Sequence, residues 1–150
     1  MFIGLLWPSA MKQSSNILIR IKKDYDCMSE SYSFDTKDEL KKFVIGIYKP
    51  DRTPTKRVMT KFKAMRKHGN AIKVIYIEID KPSMIPHKKT RLLGTFYCKE
   101  MKLLKKIIRN KYKGGIKGYV HDIIIHISDN EGHNKRTKKL LAKYAKKTDG

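Results

Sequence analysis

The stretch AIKVIYIEID, residues 71–80, alternates with a period of two. Ile75, Ile77 and Ile79 fall on one side, and Val74, Tyr76, Glu78 and Asp80 on the other. Successive strand side chains point to opposite faces, so this pattern predicts a β-strand with one buried face. His68-Gly69-Asn70 stands before it, the glycine placed as a helix C-cap. Upstream, residues 56–67 put Val58, Phe62 and Met65 on one helical stripe, with Lys56, Arg57, Lys61, Lys63, Arg66 and Lys67 around the rest. A basic amphipathic helix feeding a strand predicts an α+β fold in which helices lie on a sheet.

Outward from there, NILIRIKK (16–23) alternates Ile17, Ile19 and Ile21 with Leu18, Arg20 and Lys22, and predicts a second strand. Residues 25–35 are polar and serine-rich and are expected to form a loop. Asp35 or Thr36 is placed to cap a helix reaching Tyr48, with Asp38 and Glu39 in its first turn. FVIGIY within it also fits a short strand. KPDRTPTK (49–56) breaks the chain with two prolines, and KPSMIPHKKT (81–90) reads as a loop. RLLGTFY (91–97) fits a short strand. Residues 99–113 give the clearest helix. Met101, Leu104 and Ile108 form its stripe, Lys102, Lys105, Lys106, Arg109 and Lys113 the opposite face, and Gly114-Gly115 the stop. Residues 116–128 predict a strand. Asp129 or Asn130 then caps a last helix that carries Lys135, Arg136 and Lys139 outside Leu140, Leu141 and Tyr144. The expected architecture is a small sheet of three to four strands packed with three to four amphipathic helices, a ferredoxin-like arrangement among the options. Residues 1–10, MFIGLLWPSA, are set apart as an N-terminal extension from a single basic domain over 11–150.

Charge restricts the function classes. Lys and Arg number 35 against 14 Asp and Glu, a formal net charge of +21, which attracts polyanions. DNA or RNA is the leading expected partner, because neutralising phosphates releases counterions. Lysines dominate, which favours backbone phosphate over base reading and implies modest sequence specificity. The residues expected to grip it are the basic ones named on the three helices above. Tyr112, Tyr119 and Tyr144 stand among them as candidate stacking groups. No helix-turn-helix, zinc-finger or RNA-recognition signature is present. Cys27 and Cys98 have no metal-ligand spacing and are expected to be free thiols, consistent with a cytoplasmic location. No apolar run is long enough to cross a membrane as a helix.

HDIIIHISDN (121–130) is the one stretch dense in catalytic residue types. In a regular strand, His121, Ile123, Ile125 and Ile127 share one face and Asp122, Ile124, His126 and Ser128 the other. The two histidines then point apart, which excludes a shared metal and places His121 at the edge of the core. His126 is the candidate acid, base or nucleophile, with Asp122 and Ser128 as candidate companions. Asp122 stands roughly 13 Å along the strand from His126. Glu78 and Asp80 share a strand face and are candidate ligands for Mg²⁺, which the enzyme reading requires and the binding reading does not. Neighbouring strands would bring Glu78, Asp80 and Asp122 together, as in a metal-dependent nuclease.

Several fragments, in order, are similar to nucleoside diphosphate kinases. IGIYKPD (45–51) resembles that family's early hydrophobic run ending in Lys-Pro-Asp, with Phe62, Gly69 and IKVIYIEI following. HISD (126–129) resembles its Asn-x-x-His-Gly-Ser-Asp motif, with Ile127 at the glycine and Ile123 at the asparagine. RLLGT (91–95) and GGIKG (114–118) resemble its phosphate-contacting segments. The resemblance implies a ferredoxin-like fold, His126 as phosphate-accepting nucleophile, Lys49, Arg91, Thr95 and Lys117 on nucleotide phosphates, and Mg²⁺. Two functions are carried forward: nucleic-acid binding, and a phosphate-processing enzyme built on His126.

Overall fold

A computed structural model describes residues 1–87 and 95–148. Its centre is a five-stranded antiparallel sheet in the order β6-β1-β3-β2-β7. β1 (Phe2–Leu6) pairs with β3 (Ala71–Glu78) on one side and β6 (Ile125–Ile127) on the other. β2 (Asp26–Ser33) runs along the far edge of β3 for eight residues, and β7 (Lys146–Thr148) pairs with β2. Two helices complete a β-α-β-β-α-β unit: α1 (Ser14–Lys22) between β1 and β2, and α4 (Lys99–Tyr112) between β3 and β6. This is the ferredoxin-like connectivity. α2 (Lys37–Tyr48) and α3 (Thr55–Met65) are inserted between β2 and β3, and α5 (Glu131–Tyr144) follows β6. A short ribbon of β4 (Met84–Pro86) and β5 (Phe96–Cys98) stands apart from the main sheet.

The α+β class holds, with a larger sheet than the three to four strands expected. β3 forms as its alternation predicts, but both of its faces are covered: Ile75 and Ile77 are fully buried, and so are Ile72 and Val74 opposite them. α2 forms rather than a strand, and the Thr36 hydroxyl accepts a hydrogen bond from the Glu39 amide at 3.1 Å as its N-cap. α3 ends through a 3-10 turn at Gly69, whose φ of +113° suits glycine. α4 ends at Gly114-Gly115 through another. The Asn130 side chain caps α5 by accepting from the His133 amide at 3.0 Å.

Four expectations are corrected. Residues 1–10 are not a peripheral extension: all five residues of β1 are buried, and the strand lies inside the sheet. Residues 16–23 lie on a helix and its end rather than a strand. Ile17 and Ile21, one turn apart, are fully buried while Ile19 is 59% exposed, so packing overrides the alternating pattern. Residues 25–35 contain a strand, since ladder hydrogen bonds to β3 do not require apolar side chains. Glu30 secures it, accepting from Tyr76 at 2.7 Å and pairing with Lys147 on β7 at 2.5 Å. Finally, of residues 116–128 only 125–127 are strand. Gly118 (φ +75°) and His121 (φ +50°) take left-handed conformations that break the alternation upstream.

Candidate functional site

The site lies around β6, where α3, α4 and the end of α2 approach the sheet edge. β6 pairs with β1 at Gly4, Leu5 and Leu6, and His126 stands opposite Leu5. The residue is 8% exposed, and its imidazole meets the ring of Tyr48, the last residue of α2. Among the described residues it makes no side-chain hydrogen bond. Burial, and then the charges of Lys105, Arg109 and Lys61, hold it well below its ordinary pKa, so it is neutral at pH 7. A neutral imidazole is the form that can act as a nucleophile.

Tyr48 anchors this corner. Its hydroxyl accepts a hydrogen bond from Trp7 Nε1 at 3.2 Å, and Lys61 Nζ lies 4.2 Å above its ring. Burial lowers the Lys61 amine to a pKa of about 8, against a smaller opposing effect of Asp122. Burial lowers Lys105 as well, helped by Arg109.

Beside this corner α3 and α4 face each other across an open cleft of about 520 Å³. Arg57 and Lys61 line it from α3, and Lys102, Lys106 and Arg109 from α4, with Lys113 at the helix end. Asp122 and Tyr119 lie at its wall. Arg109 pairs with Asp122 at 3.3 Å and donates to the Ile125 carbonyl at 3.0 Å, which ties α4 to the entry of β6. The cleft therefore concentrates positive charge, and two of the cations that act on His126 line it.

A cluster of acids and imidazoles gathers where α2, β6 and the start of α5 meet. Asp51 follows α2, Asp129 follows β6 and His133 lies on α5. One ligand atom from each comes within 4.8 Å of the others. His87 Nε2, after β4, approaches Asp129 Oδ2 at 3.4 Å. Burial, then the Asp129 charge, raises the Asp51 carboxyl above its usual range.

The residues singled out from sequence are distributed unevenly. His126 is at the centre. Asp122 is engaged with Arg109 and with the Tyr119 hydroxyl at 3.3 Å, in the wall of the cleft. Ser128 is 1% exposed and structural in its contacts: it accepts from the Ile3 amide at 2.9 Å and donates to Asn134 Oδ1. His121 is exposed at the cleft rather than at the core edge, because the chain turns there. Glu78 and Asp80 do not join Asp122 and His126: both are exposed beside Lys22, Lys23 and Asp26, in a different depression. β1 separates β3 from β6, so the condition for Glu78, Asp80 and Asp122 to converge is not met.

Of the basic residues, Arg57, Lys61, Lys102, Lys106, Arg109 and Lys113 converge on the cleft. Lys56, Lys63, Lys67, Lys135 and Lys139 are exposed outside it, Arg66 lies over the Phe62 ring, and Arg136 donates to the Gly46 carbonyl at 2.9 Å. Tyr112 is buried. Cys27 and Cys98 are free. Of the residues implied by the resemblance, Lys49 and Lys117 are exposed, Thr95 lies beside β5, and Arg91 falls outside the described residues. The run 45–51 is the end of a helix and a turn. The chain's early strand is Phe2–Leu6, followed by Trp7-Pro8-Ser9.

Sequence reasoning missed Tyr48, Asp51, His87 and His133 as site residues. Asp129 and His133, four apart across a helix start, carried a readable signal, since that spacing puts two side chains on one side. His87 lies in a loop and carried none. Among the described residues no helix is long and apolar enough to cross a membrane.

No protein-family model matches the chain, and no curated protein sequence does either. Solved structures do. A nucleoside diphosphate kinase of Aquifex aeolicus superposes with a TM-score of 0.52 at 13% identity, over 93% of this chain and 92% of that one. The Borrelia burgdorferi nucleoside-diphosphate kinase, in a transition-state mimic with vanadate and ADP, gives a TM-score of 0.44 at 12% identity, over 93% and 84%. At such identity the first likeness shows the fold: this chain is built on the ferredoxin-like scaffold seen in a nucleoside diphosphate kinase.

Proposed function

We propose that the α3–α4 cleft binds the phosphates of a nucleoside triphosphate and that His126 accepts its terminal phosphoryl group. One observation carries the reading: a neutral imidazole, fixed at the edge strand, stands in the field of Lys61, Lys105 and Arg109 beside a cleft lined by six cationic side chains. The shared scaffold with a nucleoside diphosphate kinase, and HISD at 126–129, support it. An imidazole nitrogen attacks the terminal phosphorus, the bond to the bridging oxygen breaks, and the diphosphate leaves. A second nucleoside diphosphate then takes the phosphoryl group from His126, restoring the ring. Cations fixed around the cleft offset charge on the transferring oxygens. The grip differs from the family's pattern, with Ile127 at the position of its glycine and Lys49 exposed, so Lys61 and Arg109 take the phosphate-binding part.

Mg²⁺ is implied by this activity. The exposed pair Glu78 and Asp80 does not fit it, being set apart from the cleft. The carboxylates near His126 come with imidazole nitrogens, a donor set that does not favour Mg²⁺. Mg²⁺ enters this reading only as part of the nucleotide substrate.

The test is exchange between ATP and GDP by wild type and His126→Asn. Formation of GTP by the wild type and its loss in the variant, with ADP binding retained, is the expected result. Wild type that binds ADP and forms no GTP overturns the reading.

A second reading keeps DNA or RNA as the ligand. It is supported by the exposed lysines outside the cleft, Lys56, Lys63, Lys67, Lys135 and Lys139. Affinity for generic nucleic acid should then fall steeply along a salt series, and a flat response counts against it.

A further inference from the structure

We propose that Asp51, Asp129 and His133, with His87 beside Asp129, form a binding site for a divalent transition-metal ion of the Mn²⁺, Co²⁺ or Zn²⁺ class. The four residues come from four separate places: the turn after α2, the end of β6, the first turn of α5 and the loop after β4. Only the fold brings them together. Such ions bind nitrogen and oxygen at ~2.1 Å, which separates neighbouring ligands by roughly 3–3.5 Å. His87 Nε2 and Asp129 Oδ2 are 3.4 Å apart, His133 Nδ1 and the same oxygen 3.9 Å, and the Asp51–Asp129–His133 set closes within 4.8 Å.

Charge makes the second argument. The chain holds 35 Lys and Arg against 14 acids, so a free carboxylate readily finds a basic partner. Among the described residues neither Asp51 nor Asp129 makes a direct ion-pair contact with lysine or arginine, and the Lys105 charge acts on both from beyond contact distance. A cation between the two carboxylates would relieve their repulsion more fully.

The donor set selects the ion. An imidazole with two carboxylates suits borderline ions. Mg²⁺ and Ca²⁺ prefer all-oxygen shells, and thiolate-seeking ions find no sulfur in the set. The site does not depend on phosphoryl transfer, and its readout needs no nucleotide.

The full chain, stripped of metal with a chelator, is titrated with Co²⁺ and followed by visible absorption and calorimetry. The expected result is one Co²⁺ per chain with ligand-field bands, displaced by Zn²⁺ and not by a large excess of Mg²⁺. His133→Gln and Asp129→Asn, each checked for folding by circular dichroism, should weaken binding by more than tenfold, and Asp51→Asn likewise. Absence of stoichiometric binding by the folded wild type overturns the proposal. So does binding that folded His133→Gln and Asp129→Asn leave unchanged.

Discussion

The ring of His126 stands against the ring of Tyr48, with centroids 5.3 Å apart and planes at 77°. The tyrosine is in turn held by Trp7 at the end of β1 and covered by Lys61 of α3. The position of the imidazole thus depends on three elements far apart in sequence. Tyr48→Phe keeps the ring contact and strands the Trp7 N–H, which should cost about 1–2 kcal/mol in urea unfolding and leave His126 reactivity near wild type. Tyr48→Ala should cost about 3–5 kcal/mol and reduce reactivity in whatever protein remains folded. Equal reactivity in the two folded variants would show that the contact does not position the histidine.

Lys61 gives a pH-dependent stability. Its pKa falls to about 8 in the folded chain from an ordinary 10.5, so the unfolded chain binds that proton more tightly. The cost of holding it charged is fully present below pH 8, shrinks through the interval up to 10.5, and is gone above it. Lys61→Met should therefore be more stable than wild type at pH 7, by on the order of 1–3 kcal/mol. That advantage should fade towards pH 10.5, while ADP affinity falls. Urea unfolding of both proteins from pH 6 to 10 checks the sign, and a pH-independent difference would contradict it.

Ser128 is read as a tie between β6, β1 and α5. Its hydroxyl joins the Ile3 amide to Asn134, whose own amide group donates to the Met1 carbonyl at 2.8 Å and to Glu131 at 3.1 Å. Ser128→Ala leaves a buried amide and a buried side-chain oxygen unpaired and should lose about 1–3 kcal/mol. ADP affinity at a temperature where the variant is folded should be unchanged. A selective loss of phosphoryl transfer, with stability intact, would instead make Ser128 a participant in the chemistry.

Deleting residues 1–10 should abolish cooperative unfolding, because β1 supplies the pairing edge of both β3 and β6. Exposed strand edges also favour aggregation. Circular dichroism and a thermal melt of the shortened chain decide this, and a wild-type melting curve would contradict it.

The same strand shows why part of the fold was hard to read. FIGLL is apolar throughout because both of its faces are covered, so it shows no alternation, and its place at the chain end suggested a tail. α1 carries isoleucine at every second position, which imitates a strand, and β2 is polar because backbone pairing and the Glu30 network hold it. β3, α3, α4 and α5 were legible because a periodic apolar stripe and end signals agree there. Of the site, His126 was legible from residue type and neighbours. Its companions were not, since Tyr48, Asp51 and His87 reach it only through the packing of α2 and the loop after β4.

Phosphoryl transfer to His126 is tested most directly by the mass of the intact chain after brief exposure to ATP and Mg²⁺ at neutral pH, followed by peptide mapping under alkaline conditions that preserve phosphohistidine. One added phosphoryl group is expected, on the peptide containing His126, absent in His126→Asn and removed by GDP. An unmodified chain, or a phosphoryl group on any other residue, would contradict it.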